Sequence, residues 1–214
     1  MDTIRLYVGY DPREAVGWHT FAQSVIDSRE QVSITTLQGE QRDGTNAFTY
    51  ERFKIPFYCG FEGWAIWADG SDMLLRGKLS ELWAMRNPHM AVQVVQHDYE
   101  TKHPRKYVGT PMEAANGSYP RKNWSSVVIF NCGSFLNRHL TPELVNTAPG
   151  SYLHRFEWLA EDRIGALPLE WNWLDEYGPN DQAKLYHWTT GIPHFEHYRN
   201  APHADEWRKS SQKV

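Results

Sequence analysis

The chain has 214 residues, 41% hydrophobic and 22% charged, which suits one domain with a sizeable buried core. Its formal net charge of -4, with no acidic or basic block, argues against nucleic-acid binding through a broad electrostatic footprint. No stretch approaches the roughly 18 apolar residues of a membrane span, no charged and apolar leader precedes the first strand, and Cys59 and Cys132 are far apart and in no metal spacing, so a cytoplasmic chain without a disulfide framework is expected.

Ile4 to Tyr10 (IRLYVGY) is a β-rich run stopped by Asp11-Pro12, the first predicted strand. Val16, Phe21, Val25 and Ile26 recur at helical spacing, so a helix is expected from Glu14 to Ile26. Val32 to Leu37 reads as a strand and Gly39 to Asn46 as a polar turn region. Phe48 to Tyr58 begins as a helix that Pro56 interrupts or ends. Gly63 to Ala68 (GWAIWA) is a strand ending at Asp69-Gly70-Ser71-Asp72, Lys78 to Met85 a helix, and Ala91 to Val95 a strand ending at His97-Asp98-Tyr99. Thr101 to Arg121, rich in Pro, Lys and Gly, is expected as a long loop, a class of segment often functional in compact domains. Ser126 to Asn131 is a strand, Thr141 to Val145 starts a helix behind a Thr-Pro cap, Trp158 to Ile164 is a short helix, and Leu185 to Trp188 is a late strand. From Pro193 a polar, His-rich tail (193–214) is expected to wrap the surface of a single domain spanning 1–214. Strands alternating with helices predict an α/β fold with a mostly parallel central sheet flanked by helices. Ten Trp and eleven Tyr supply rings for stacking on sugars and bases, or for a large aromatic core.

Several motifs are missing: G-x-G-x-x-G after strand one, the phosphate-binding G-x-x-x-x-G-K-[ST], H-E-x-x-H and G-x-S-x-G. Four features carry chemistry. Asp69 and Asp72 sit at the carboxyl end of an apolar strand, the ligand-binding edge of an open α/β sheet, and paired carboxylates suit Mg²⁺ or Mn²⁺ shared with phosphates, although D-G-S-D is also ordinary turn chemistry. His187, in LYHWTTG, also ends an apolar strand, and Gly191 after it permits close backbone approach to a phosphate. Tyr10, Asp11 and Arg13 end strand one, where a ring, an acid and a base can hold a nucleoside or simply form a capped loop. Lys102, Arg105, Lys106, Arg121 and Lys122 form a basic stretch that can screen a diphosphate, bind an acceptor, or be a solvated loop.

Taken in order over roughly residues 4 to 195, these pieces resemble the glycogenin-like glycosyltransferases (family 8) and their bacterial and phage relatives, whose fold is GT-A, a Rossmann-like single domain. IRLYVGYD resembles the opening nucleotide-binding strand, TNAFTYERFKIPF the segment whose Arg precedes the metal motif, and GWAIWADGSDMLL the strand, D-x-D, apolar signature. YPRKNWSSVVIFNCG resembles the acceptor-side segment, LPLEWNWL the L-P-x-x-W-N element, and LYHWTTG the late metal-binding His and phosphate-binding Gly. The resemblance implies transfer of a sugar from a nucleotide-diphosphate sugar, UDP-linked in the first instance, to a hydroxyl of a glycan, lipid, protein or modified nucleobase, with retention of configuration. It implies Mn²⁺ or Mg²⁺ on Asp69, Asp72 and His187, donor contacts from Val8, Gly9, Tyr10, Asp11, Arg13, Arg52, Asp69, Lys122 and Gly191, and Asp98 and Asn123 facing the reacting sugar or acceptor.

Two departures stand out. The acids are D-x-x-D rather than D-x-D, with Gly70 left to absorb the extra residue. The Lys that usually follows the late His and Gly is missing, so Arg13, Arg52 or Lys122 must neutralise phosphate. The altered spacing keeps open a non-catalytic binder of nucleotides or sugars. A sugar nucleotidyltransferase shares the paired acids, but its Gly-rich basic loop after strand one is absent.

Overall fold

A computed structural model describes residues 3–43 and 45–214; Met1 and Asp2 of the leader reading, and Gly44 of the polar turn region, lie outside the described residues. In chain order the elements are β1 (Ile4–Gly9), α1 (Ala15–Asp27), β2 (Val32–Leu37), α2 (Ile55–Tyr58), β3 (Trp64–Ala68), β4 (Met73–Leu75), α3 (Leu79–Ala84), β5 (Val92–Val94), β6 (Arg105–Lys106), β7 (Ala114–Ala115), β8 (Val127–Asn131), α4 (Pro142–Thr147), α5 (Gly150–His154), β9 (Ile164–Ala166), β10 (Trp173–Leu174), β11 (Leu185–His187) and α6 (Ala204–Ser211).

The main sheet runs β2-β1-β3-β8-β5-β9. All its pairings are parallel except those of β8, which runs against both β3 and β5. The α/β class with helices on both faces therefore holds, as a mixed sheet with one reversed strand. The alternation of side chains along each strand divides the core. Tyr7, Ala65, Trp67, Val128 and Phe130 point to one face and pack with Phe53, Ile55, Val145 and Leu153 from the helices there. Leu6, Val8, Ile66, Val127 and Ile129 point to the other and pack with Phe21 and Val25 of α1. A second sheet, β10-β11-β4, carries Leu74, Tyr186 and Trp188 into a third cluster closed by Trp207 of α6.

Local chemistry explains the helix starts. Asp11 accepts from the backbone N of Arg13 at 3.0 Å and Pro12 opens the short 3-10 turn that leads into α1. Thr141 caps α4 through the backbone N of Leu144, with Pro142 in its first turn. Pro56 lies in the first turn of α2, where its missing N–H is no loss, so it begins that helix rather than ending it. The expected helix over Trp158 to Ile164 is instead a 3-10 turn, Glu161–Arg163, and Ile164 opens β9, paired with Val92. Within the Thr101 to Arg121 loop, β6 and β7 form a two-residue hairpin. The segment after Pro193 is not wholly irregular: α6 packs on α1 and buries Trp207. Cys59 and Cys132, distant in sequence, are brought together as neighbouring free thiols beside Tyr7. Among the described residues no helix is long and apolar enough to cross a membrane.

Candidate active-site cleft

The carboxyl ends of β1 and β3 open on one edge of the main sheet, and the reversal of β8 brings the Asn123–Ser126 turn that precedes it to the same edge. There a cleft of about 480 Å³ is lined by Arg13, Arg52, Asp69, Asp72, Asn123 and His187 among others. The second sheet supplies the last of these. β11 lies antiparallel to β4 with His187 opposite Met73, so the imidazole arrives beside Asp72, and Trp188 N donates to the Asp72 carbonyl at 2.8 Å.

The D-G-S-D segment is a tight turn in which Gly70 takes φ +83°, Ser71 N donates to the Asp69 carbonyl, and Met73 N to the Gly70 carbonyl. The extra residue relative to D-x-D is thus taken up locally, and both carboxylates still reach the cleft. Asp69 Oδ1 is 2.6 Å from Arg52 Nη1 and accepts from Trp67 Nε1 at 3.0 Å. Arg52 is buried, donates to the carbonyls of Thr49 and Ser125, and lies over the Trp67 ring. Burial raises the Asp69 carboxyl to about 6 even with Arg52 beside it, and the charge of Asp72 adds to the rise.

Asp72 Oδ2 is 3.2 Å from His187 Nε2, while Asp72 Oδ1 is buried with no hydrogen-bond partner. Burial alone would raise this carboxyl, but the facing His187 holds it below its ordinary value. The His187 Nδ1 is 2.9 Å from Asn172 Oδ1, and Asn172 Nδ2 donates to the Asn123 carbonyl, which fixes that amide oxygen toward the ring. Both ring nitrogens of His187 therefore face oxygen acceptors. With Nδ1–H given to Asn172, the Nε2 lone pair meets a carboxylate, an arrangement that requires a proton or a metal cation between them. Burial pulls the His187 pKa down, but the Asp72 charge and hydrogen bond outweigh it and the net shift is upward.

The resemblance to the glycogenin-like glycosyltransferases implies a divalent cation at this edge. Among the described residues no group of three or more His, Cys, Asp or Glu is already assembled as a metal cage. The donor chemistry nevertheless fits. Asp72 offers an unpartnered oxygen, His187 a nitrogen oriented from behind by an amide, and Asp69 a carboxylate with one oxygen already committed to Arg52 and Trp67.

The other expected residues divide. Arg13 lines the cleft but is clamped by Asp11, 2.6 Å away, and Asp11 also caps the following turn and accepts from Ala47 N. Asp11 is thereby buried and consumed as support, its pKa lowered chiefly by Arg13. Tyr10 does not line the cleft; its ring meets Trp18 edge-on. Val8 is wholly buried in the core, and Gly9 has Phe48 where a Cβ would stand. Gly191 sits against Tyr198, outside the cleft lining. Asp98 is exposed and off the cleft. Asn123 is in the cleft with φ +62°, its amide donating to the Tyr99 hydroxyl. Lys122 faces an adjoining recess rather than the cleft.

Other residues of the site escaped the sequence reading. Glu14 is buried against Asp72, Ser71 and Tyr107, with Oε1 unpartnered; burial, then the Asp72 charge, raise its pKa to about 8. Asp175 accepts from Thr189 N, Thr189 Oγ1 and Thr190 Oγ1 and pins the turn after His187. His154 sits 2.7 Å from Ser125 Oγ on the cleft wall and is held neutral, its pKa pushed to about 3 by burial and by Arg52 and Arg42. Lys106, noted only as part of a basic stretch, lines the cleft near Asp72.

No protein-family model matches the chain. Among solved structures, it resembles the glycosyltransferase GlyE of Streptococcus pneumoniae TIGR4, with 13% identity and a TM-score of 0.69 over 99% of this chain and 60% of that one. It also resembles the galactosyltransferase LgtC, solved with donor and acceptor sugar analogs: 10% identity and a TM-score of 0.64 over 99% of this chain and 96% of that one. The bifunctional glycosyltransferase WbbM matches at 15% identity and a TM-score of 0.55, and the chain spans about half of its length (51%). At these identities the likeness shows the fold, and that fold is GT-A. In sequence, the chain is 36% identical over 222 residues to Protein CDI of Arabidopsis thaliana, covering 95% of this chain and 84% of the relative. A likeness of that depth over nearly the whole length places the chain in the same family as Protein CDI, on a GT-A scaffold.

Proposed function

We propose that the chain is a glycosyltransferase of the glycogenin-like type, moving a sugar from a UDP-sugar to a hydroxyl acceptor with Mn²⁺ or Mg²⁺ bound at Asp69, Asp72 and His187. The observation that carries this reading is the meeting of those three side chains in one cleft, with His187 presenting Nε2 to a carboxylate and Asp72 Oδ1 left without a partner. A bound divalent ion supplies Lewis-acid stabilisation of the diphosphate as it departs. Arg52 holds Asp69 in place, and Asn172 holds the ring of His187. Arg13, oriented by Asp11, presents its guanidinium along the cleft wall toward the nucleotide. Asn123, fixed by Tyr99, faces the region of the transferred sugar and orients it by hydrogen bonding. The two free thiols suit a reducing cytoplasm.

The test is titration calorimetry of UDP with and without Mn²⁺, joined to a donor-hydrolysis screen over a panel of nucleotide sugars. Metal-dependent UDP affinity and hydrolysis of at least one donor are expected, both lost in Asp72→Asn with the circular-dichroism spectrum intact. Undiminished hydrolysis in that variant removes Asp72 from the site. UDP affinity indifferent to metal, with no hydrolysis of any donor, leaves a non-catalytic binder instead.

A further inference from the structure

Beside the cleft, and sharing Lys106, Tyr119, Asn123 and Thr189 with it, lies a recess of about 270 Å³. No carboxylate lines this recess, while two lysines do, Lys106 and Lys122. Lys122 is buried; its Nζ donates to Asn116 Oδ1 at 2.8 Å and to the Gly117 carbonyl at 3.0 Å, and it stands over the Tyr119 ring. Lys106 is half-buried, and its ammonium lies near the Tyr107 ring. Among the described residues neither lysine has a carboxylate within ion-pair distance. The acid nearest in kind, Glu176, already accepts from Thr101 Oγ1 and Lys102 N. Burial pulls Lys122 below the ordinary lysine range, the like charge of Lys106 adds to the fall, and the more distant charge of Glu176 offsets only part of it.

Lys106 also faces Asp72 on the cleft side, but Lys122 is buried with no carboxylate at ion-pair distance, and the two cations give the recess a positive lining for an anion, because an uncompensated buried charge is costly and a ligand anion relieves it. The half-exposed ring of Tyr119 adds the flat apolar face that a sugar needs, and the Ser118 hydroxyl, which accepts from Thr101 N at 2.9 Å, keeps its proton to donate. The recess shares Asn123 with the cleft, whereas Arg13 lines the cleft alone. Resting on the reading of the cleft as a donor site, we propose that this recess binds the acceptor, and that the acceptor is an anionic sugar carrying a phosphate or carboxylate group gripped by Lys106 and Lys122.

Glucose 6-phosphate, glucuronate and glucose, titrated into the protein both free and saturated with UDP and Mn²⁺, test this. Glucose 6-phosphate or glucuronate, whichever carries the right group, is expected to bind about ten- to a hundredfold tighter than glucose, the range of one to two charge-assisted hydrogen bonds. That preference should survive UDP saturation, weaken with added salt, and be lost in Lys122→Met. Lys106→Gln, at a less buried position, should lose it too and serves as the test if the first variant does not fold. Equal affinity for all three sugars, or a preference untouched in both variants, overturns the proposal. So does competition between the anion and UDP, which would place the lysines on the donor. The titrations without nucleotide read the recess even if UDP fails to bind, so failure of the donor reading and failure of the recess are seen separately.

Discussion

Replacing Arg52 with Met removes the guanidinium beside Asp69 while keeping an apolar stem against Trp67. Three contacts go: Nη1 to Asp69 Oδ1 at 2.6 Å, Nη1 to the Ser125 carbonyl at 2.7 Å, and Nε to the Thr49 carbonyl at 2.8 Å. Stripping one partner from a buried ion pair costs about 3–5 kcal/mol. The Asp69 side chain keeps 16% of its exposure, so solvent offsets part of the loss and the lower end of that range applies. For a chain of this size that is a fall in Tm of roughly 6–12 °C. The pH dependence isolates the ionic part. Asp69 is raised to about 6 in the folded protein, from an ordinary value of 3.8, so its contribution to stability is present below about pH 4 and is lost as pH rises through 6. Without Arg52 the folded value moves higher still, and the gap between variant and wild type is small at pH 4 and full by pH 8. Urea unfolding at several pH values in chelator, with Asp69→Asn closing a double-mutant cycle, measures it. A loss equal at pH 4 and pH 8 would show that Arg52 acts through the Ser125 and Thr49 carbonyls and not through Asp69.

Gly17→Ala places a Cβ 1.9 Å from the Ser71 carbonyl oxygen, so helix or D-G-S-D turn must shift; a loss of about 1–3 kcal/mol and weaker Mn²⁺-dependent UDP binding are expected, and wild-type UDP affinity would contradict it. Glu14, raised to about 8 by burial and Asp72, gives wild-type protein a stability that declines as pH climbs through 8; in Glu14→Gln the decline should flatten, and an unchanged pH profile by urea midpoint would acquit Glu14. Cys59, lowered to about 6 chiefly by its hydrogen bond with Cys132 and also by Tyr7, should be alkylated by iodoacetamide with a midpoint near pH 6, moving toward the ordinary value of about 8.5 in Cys132→Ala; the same midpoint in both would deny the contact.

What the sequence made legible was whatever is set within a few residues. β1, β2 and β3 declared themselves by apolar runs closed by turn residues, and Thr141-Pro142 announced the start of α4. β9 and β10 did not: β9 is three residues broken by Gly165 and β10 only two, and each is a strand through partners far along the chain, Val92 to Val94 for the first and Tyr186-His187 for the second. The paired acids and His187 were legible as strand-end residues. Asp11 looked like a ligand by the same logic, but a carboxylate two residues before an arginine and at a helix start satisfies its own neighbours first. Glu14 gave no signal, and Lys106 was not distinguished from the other lysines and arginines of its basic stretch, since only the packing of α1 under the turn and the folding of the β6–β7 hairpin bring them to Asp72.

The placement of the two acids follows from glycines more than from the acids themselves. Gly17 lets α1 approach until the Ser71 carbonyl fills the place of a side chain, and Gly70 turns the chain at positive φ where Val8 would strike a Cβ at 2.2 Å. The turn is thus pressed between helix and strand, and the spare residue of D-x-x-D is folded into it rather than extended toward the cleft. Asp69 is left facing Arg52 from the main sheet, and Asp72 is left facing His187 from the second sheet. Each acid therefore has its own orienting partner, Arg52 from the 3-10 turn Glu51–Lys54 and His187 from β11, and the cleft exists where these elements bring the two pairs together.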